Sequence, residues 1–157
     1  MRGPLPTPEA PYSSGSLRDL PSAISPLTSL TGRSFFTTST SGSEPIKVIG
    51  AKAVSIDRAA RTVDELRTAT GNRNVEFVLA DFGSLAAVRA AAAELTRRHR
   101  AVHVLVNNAG RARKPRLVSA DGFEMTFAVN HLAPFLFTRE LLPLLRAGAP
   151  SRIVNVA

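Results

Sequence analysis

The chain has 157 residues, a formal net charge of +8, 44% hydrophobic residues and no cysteine. That length supports one domain with a real core and excludes a disulfide framework or thiolate chemistry, and no apolar run approaches the roughly 20 residues of a membrane span. Basic residues gather at Arg97, Arg98, Arg100 and at Arg111, Arg113, Lys114, Arg116. Neither cluster carries interleaved aromatics for base stacking, so no nucleic-acid partner is expected and a basic nucleic-acid-binding domain stays only as a remote alternative function.

Met1 to Pro45 is rich in Ser, Thr and Pro, balances Arg2, Arg18 and Arg33 against Glu9, Asp19 and Glu44, and shows no sustained apolar period. This composition predicts a disordered leader, which sets the folded domain at residues 46–157. An arginine-bearing, hydroxyl-rich leader is similar to an organelle transit peptide, and Arg33-Ser34-Phe35 would suit processing, although the acidic residues and prolines count against it. A cytoplasmic location is therefore the expectation, with mitochondria as the alternative. A rearranged reading frame at the N-terminus is the plainer explanation of the leader.

Ile46 to Ile56 holds two short apolar bursts around Gly50, of which Ala51 to Ile56 reads as a strand ending at Asp57 and Arg58. Ala59 to Thr70 reads as a helix burying Val63 and Leu66, stopped by Gly71-Asn72. Val75 to Ala80 is the next strand, followed by Asp81. Ser84 then caps a helix to about Arg98, in which Leu85, Val88, Ala92 and Leu95 recur at helical spacing. His99 and His103 are expected at the surface or a strand edge, and no metal site is predicted, because further donors are missing.

Val102 to Gly110, VHVLVNNAG, organises the rest. Its β-branched run is short enough to be a strand buried on both faces, as in a parallel sheet covered by helices. Asn107 and Asn108 stop the strand. Ligands of open parallel sheets sit beyond the carboxyl ends of the strands, so Asn107, Asn108, Ala109 and Gly110 belong beside a ligand, with Gly110 allowing close approach to the backbone. After the polar RARKPRLVS loop, Asp121 and Glu124 form a capping-box-like start to a long helix. Its apolar side is predicted to be Phe123, Phe127, Leu132 and Phe135, and Pro134 and Pro143 are each expected to bend or interrupt it.

Three segments carry a resemblance to a known family. The NNAG of Asn107 to Gly110, the stretch DGFEMTFAVNHLAPFLFT from Asp121 to Thr138, and SRIVNVA from Ser151 to Ala157 are together similar to the short-chain dehydrogenase/reductase family, with the tone of its retinol-dehydrogenase-like branch. The resemblance runs from about Gly50 to the C-terminus. It implies an α/β fold, an incomplete Rossmann-type doubly wound parallel sheet with flanking helices. It also implies NAD or NADP as cofactor and hydride transfer between a nicotinamide dinucleotide and a small-molecule alcohol or carbonyl substrate.

The resemblance also distributes roles. The end of the second strand would meet the adenosine ribose, where Asp57 favours NAD, Arg58 favours the 2′-phosphate of NADP, and Asp57 capping the next helix is the third reading. Asp81 would hydrogen-bond the adenine ring with the backbone of Phe82 beside it, or else cap its own loop. Asn130 would sit at a distortion of the long helix, its carbonyl holding a water of the proton relay and its side chain fixing the local geometry. Homo- or hetero-dimers would form through the Asp121 to Leu145 helix.

Parts of that chemistry are missing from the residues given. No glycine-rich turn precedes the second strand to seat a pyrophosphate on amide donors, the lone tyrosine is Tyr12, and the serine, tyrosine and lysine of the family's catalytic set are not found. About half of a domain of roughly 250 residues is represented. The expectation is an inactive, truncated chain, and the reading from a different class is a non-catalytic binding or regulatory module that pairs with an intact relative. The sheet also lacks its central first strand, a gap that Phe35 to Thr38 or Ile46 to Ile49 could fill.

Overall fold

The computed structural model describes residues 35–38, 47–52, 56–112 and 115–156. Along the chain run β1 (Phe35–Thr38), β2 (Lys47–Lys52), α1 (Ile56–Thr70), β3 (Val75–Leu79), α2 (Leu85–Arg98) and β4 (Val104–Asn107). A short turn of helix, α3 (Met125–Phe127), a π-helical segment (Ala128–Leu132), α4 (Ala133–Ala147) and β5 (Arg152–Asn155) follow.

The five strands form one sheet in the order β3-β2-β1-β4-β5. The order is that of the doubly wound sheet, and β2–β3 and β4–β5 are parallel pairs, as Gly50↔Phe77 and Val106↔Val154 illustrate. The centre differs from the expectation. β1 lies antiparallel to both β2 and β4, with Phe36↔Ile49 and Thr37↔Val104 in register. The connection over residues 39–46 explains it: parallel neighbours need a crossover of about a dozen residues or more, whereas so short a link returns the chain antiparallel. Phe35 to Thr38 thus fills the central gap, and the sheet begins inside the stretch expected to be a disordered leader. The remainder of that leader lies outside the described residues.

β4 is buried as its sequence dictates, whereas β5 is largely exposed. All four residues of β4 are buried, because helices cover both faces of the sheet there. On one face Leu105 joins Val88, Ala92, Leu95, Phe137, Leu141 and Leu144 in a core built mainly by α2 and α4. On the other, Val104 and Val106 meet Val63, Leu66 and Val75, which lie on or against α1.

The helix ends are set by local chemistry. α1 ends where Gly71 takes φ +68, the left-handed conformation that costs glycine nothing. Ser84 sits in extended conformation before α2, and its Oγ accepts from the Ala87 amide at 3.4 Å. At the other end of α2, Glu94 accepts from Arg97 Nη2 (2.8 Å) and Arg98 Nε (2.6 Å), so these basic residues meet both the helix dipole and a carboxylate. The Arg97 and Arg98 hydrogen bonds hold the Glu94 carboxyl down at about 2.

The long helix departs from expectation at its cap and at Pro143, and follows it at Pro134. Glu124 alone caps it, its carboxylate accepting from the amides of Thr126 and Phe127 at 2.8 Å each, while Asp121 turns away to accept from the Leu85 amide at 2.8 Å. Pro134 does disturb the helix: without an N–H it cannot serve the carbonyl four residues back, that of Asn130, and the preceding turn widens into the π segment, closed by Ala133 N–H donating to Ala128 O. Pro143 does not interrupt α4, which continues to Ala147 with Leu141, Leu144 and Leu145 buried around the proline.

The predicted apolar side is also the wrong one. Phe123, Phe127 and Phe135 are exposed, and the buried stripe is Ala128, Ala133, Leu136, Phe137, Leu141, Leu144 and Leu145. Both stripes satisfy helical spacing on either side of residue 130. The π segment inserts an extra residue and shifts the phase, and the small Ala128 and Ala133 let the backbone approach the core.

The second strand differs as well. It spans Lys47–Lys52 rather than Ala51 to Ile56, so Asp57 and Arg58 stand in the first turn of α1, five and six residues beyond the strand, instead of at its end. The apolar residues that pair with β3 begin one burst earlier, at Val48 opposite Val75.

Candidate functional site

The carboxyl end of β4 is where the sequence placed a ligand, and the structure builds it from two kinds of asparagine. Asn107 is the last strand residue, only 6% exposed, and its Nδ2 donates to Thr138 Oγ1 (3.1 Å) on α4 and to Asn155 Oδ1 (2.8 Å) on β5. Asn107 is therefore a tie between two strands and a helix, with its Oδ1 buried and lacking a hydrogen-bond partner among the described residues. Asn155 is its register partner across the parallel pair, so Val-Asn ends both strands at one level. A second Val-Asn in SRIVNVA was the available sequence signal for this tie. Thr138 had none.

Beyond Asn107 the chain opens. Asn108 and Ala109 are partly buried, Ala109 packing on the main core, and Gly110 is exposed. Among the described residues a Cβ on Gly110 would meet nothing within 4 Å, and this open space fits a ligand lying against the backbone. The strand end is held in place by Asn130. Its Oδ1 accepts from the Arg111 amide at 2.8 Å and its Nδ2 donates to the Arg111 carbonyl at 3.0 Å. This two-point grip comes from the π segment, where the widened turn carries the side chain toward the loop. Asn130 thus lies within a distortion of the long helix and ties it to the backbone at Arg111.

Asp81 and Phe82 follow β3 at the same edge. Asp81 is exposed and caps its own turn, Oδ1 accepting from Gly83 N at 2.8 Å and its carbonyl from Ser84 N at 3.1 Å. Phe82 is buried, its ring 5.9 Å from that of Phe137. Asp81 thus caps its own loop while its side chain stays exposed, and Phe82 anchors the turn in the core. The side chains of Asp57 and Arg58 lie outside the described residues. Glu124, whose two amide donors hold its carboxyl below the usual range with Arg116 adding to the effect, begins the helix that carries Asn130.

The histidines play other parts. His99 Nε2 lies 2.7 Å from Glu76 Oε1 at the end of α2, and His131 stacks on Phe127 with centroids 5.2 Å apart. No group of three or more metal-ligating side chains occurs among the described residues.

A family model for short chain dehydrogenase matches residues 35–157. The chain belongs to the short chain dehydrogenase family. The match starts at the first residue of β1, eleven residues before the domain boundary expected at Ile46. Human retinol dehydrogenase 11 is 39% identical over 123 residues, covering 74% of this chain and 39% of that protein. Human retinol dehydrogenase 13 is 40% identical over 102 residues, covering 65% and 31%. The chain thus spans well under half the length of these relatives. Among solved structures, the RhlG/NADP active-site complex of Pseudomonas aeruginosa aligns with TM-score 0.55 and 32% identity over 66% of this chain and 42% of that one. An actinorhodin polyketide ketoreductase with NADPH aligns with TM-score 0.52 and 27% identity over 69% and 42%. No described helix is long and apolar enough to cross a membrane.

Proposed function

We propose that this chain is the nucleotide-binding part of an NAD(P)-dependent oxidoreductase acting on an alcohol or carbonyl substrate, the retinol dehydrogenases being the relatives that suggest the substrate class. The observation that carries the reading is the two-point grip of Asn130 on Arg111, which fixes the backbone just past Asn107 to Gly110 where the sheet opens. The residues fit a dinucleotide at two places: the open face at Gly110 suits the nicotinamide end, and the exposed Asp81 beside Phe82 suits adenine.

When bound, the cofactor would supply or accept the hydride. The chain's own residues bind and orient: Asn107 ties β4 to β5 and α4, Ala109 seats the loop on the core, and Asn130 holds the loop's far side. Asp57 tilts cofactor choice toward NAD, since a carboxylate repels a 2′-phosphate, while the neighbouring Arg58 opposes that preference. No positioned acid or base is supplied by these residues, and the sequence carries no glycine-rich turn for the pyrophosphate.

Titrating NADH into the full chain and following nicotinamide fluorescence tests the reading. Binding is expected, weakened in Asn130→Ala, and no turnover with aldehydes, ketones or retinoids is expected from Met1–Ala157 alone. A full chain that leaves NADH fluorescence unchanged at millimolar protein would remove the cofactor reading.

A second reading has its own observation. Phe127 and Phe135 are 48% and 63% exposed on the long helix, an apolar stripe that suits pairing with an intact relative. The nucleic-acid alternative finds less support, because Arg97 and Arg98 are already engaged by Glu94.

A further inference from the structure

We infer that Asp121 is a positioning residue that holds the Asp81–Ser84 turn, and with it the adenine end of the nucleotide site. The inference rests on the cofactor reading above and extends it to a residue 36 positions away along the chain from its contact.

The need for such a residue is visible in α2. A helix N-terminus presents unpaired amides and a partial positive charge, and these are normally met by a cap and by acidic residues in the first turn. α2 has no acidic residue in its first turn, and its Ser84 cap reaches only the Ala87 amide, at 3.4 Å. The Leu85 amide is taken instead by Asp121 Oδ2 at 2.8 Å. A carboxylate from elsewhere in the chain thus completes the cap and occupies the helix's positive end.

The same segment clasps the turn that leads into α2. Ala120 N donates to Gly83 O at 3.3 Å, and a Cβ on Gly83 would come 2.9 Å from Met125 Sδ, so the turn is pressed directly against Met125. The clasp is itself well defined: Ser119 N donates to Phe123 O (2.8 Å), Phe123 N to Ser119 Oγ (3.1 Å), and Gly122 takes φ +83 to close the loop. Inside the turn, Asp81 Oδ1 accepts from Gly83 N at 2.8 Å. Gly83 is therefore held from one side by Asp81 and from the other by Ala120 and Met125, with Asp121 anchoring the next helix turn. Glu124 follows at once and starts the helix whose Asn130 grips Arg111. One short segment, Ala120 to Glu124, so connects the adenine end of the site to the loop past Gly110.

Binding of adenosine 5′-monophosphate to the full chain tests this, measured by calorimetry alongside amide exchange at Leu85 and Gly83. The measurements are made at a temperature where circular dichroism shows each variant fully folded. Asp121→Ala is expected to speed exchange at Leu85 and weaken binding about twofold to fivefold. Asp121→Asn, which keeps an acceptor oxygen, is expected to restore most of the affinity. Should Asp121→Ala fail to fold, Asp121→Glu keeps the charge at the helix end while its longer arm displaces the turn, and it must still weaken binding. Unchanged affinity with faster Leu85 exchange makes Asp121 a helix cap only and overturns the inference. A wild-type chain that does not bind the nucleotide overturns the adenine reading itself, an outcome seen before any variant is made.

Discussion

The two faces of β4 are built to different depths. Leu105 points into a core where α2 and α4 pack Val88, Leu95, Phe137 and Leu141 around it, all nearly inaccessible, whereas Val104 and Val106 meet a smaller group centred on Val63, Leu66 and Val75. The first face is closed by two helices that also touch each other, and the second, among the described residues, by α1 alone. The difference teaches where this piece of the fold holds its own weight. It also explains the placement of the candidate site, since Thr138 and Phe137 lie side by side on α4, one tying Asn107 and the other filling the deep core beneath it.

The largest effect should come from the deep face. Phe137 is fully buried against Phe82, so Phe137→Ala leaves a cavity that its neighbours cannot fill and is expected to cost about 3–5 kcal/mol. Urea unfolding followed by circular dichroism measures it. Leu66→Ala on the shallow face is expected to cost less, about 2–3 kcal/mol, because fewer atoms line the space it vacates and α1 can settle toward the sheet. An equal or larger loss at Leu66 would break the comparison and make the α1 face the stronger one.

A smaller effect separates the faces by pH. Glu94 and Glu124 sit on the two helices of the deep face or their approach, and both carboxyls are held below the ordinary value of 4.5, Glu94 at about 2. A carboxyl with a depressed folded-state value contributes stability above its unfolded value and loses it as pH falls through the folded one. Between about pH 4.5 and 2, amide exchange should therefore rise first at the start of the long helix and the end of α2, with α1 unchanged; uniform loss across all three helices would sink this expectation. Both carboxylates are exposed, so the effect is local and salt-sensitive.

Much of this was legible beforehand because it depends on near neighbours in the chain. The burst of Val104 to Val106, the Ser84 cap, the Gly71 stop and the Leu-Val-Ala-Leu spacing of α2 each follow from period, capping or backbone freedom. The VNHLAPF context marked Asn130, and Pro134 alone explains why the helix widens there. What sequence could not resolve was phase: Phe127 and Phe135 repeat at helical spacing as well as Ala133, Phe137 and Leu141 do, and only the π segment decides which set faces inward.

Sequence by itself therefore determined the identity and order of most elements, and the family to which they belong, since these rest on interactions within a few residues. Tertiary structure alone decided three things. It placed Phe35 to Thr38 in the centre of the sheet, antiparallel because the short link to β2 permits no crossover. It brought Asn107 within hydrogen-bond reach of Thr138 and Asn155, residues far away along the chain. It also sent Asp121 from its own helix to the Leu85 amide, because an unpaired helix N-terminus offers a carboxylate a partner whatever the separation along the chain, and only the folded molecule shows which one lies within reach.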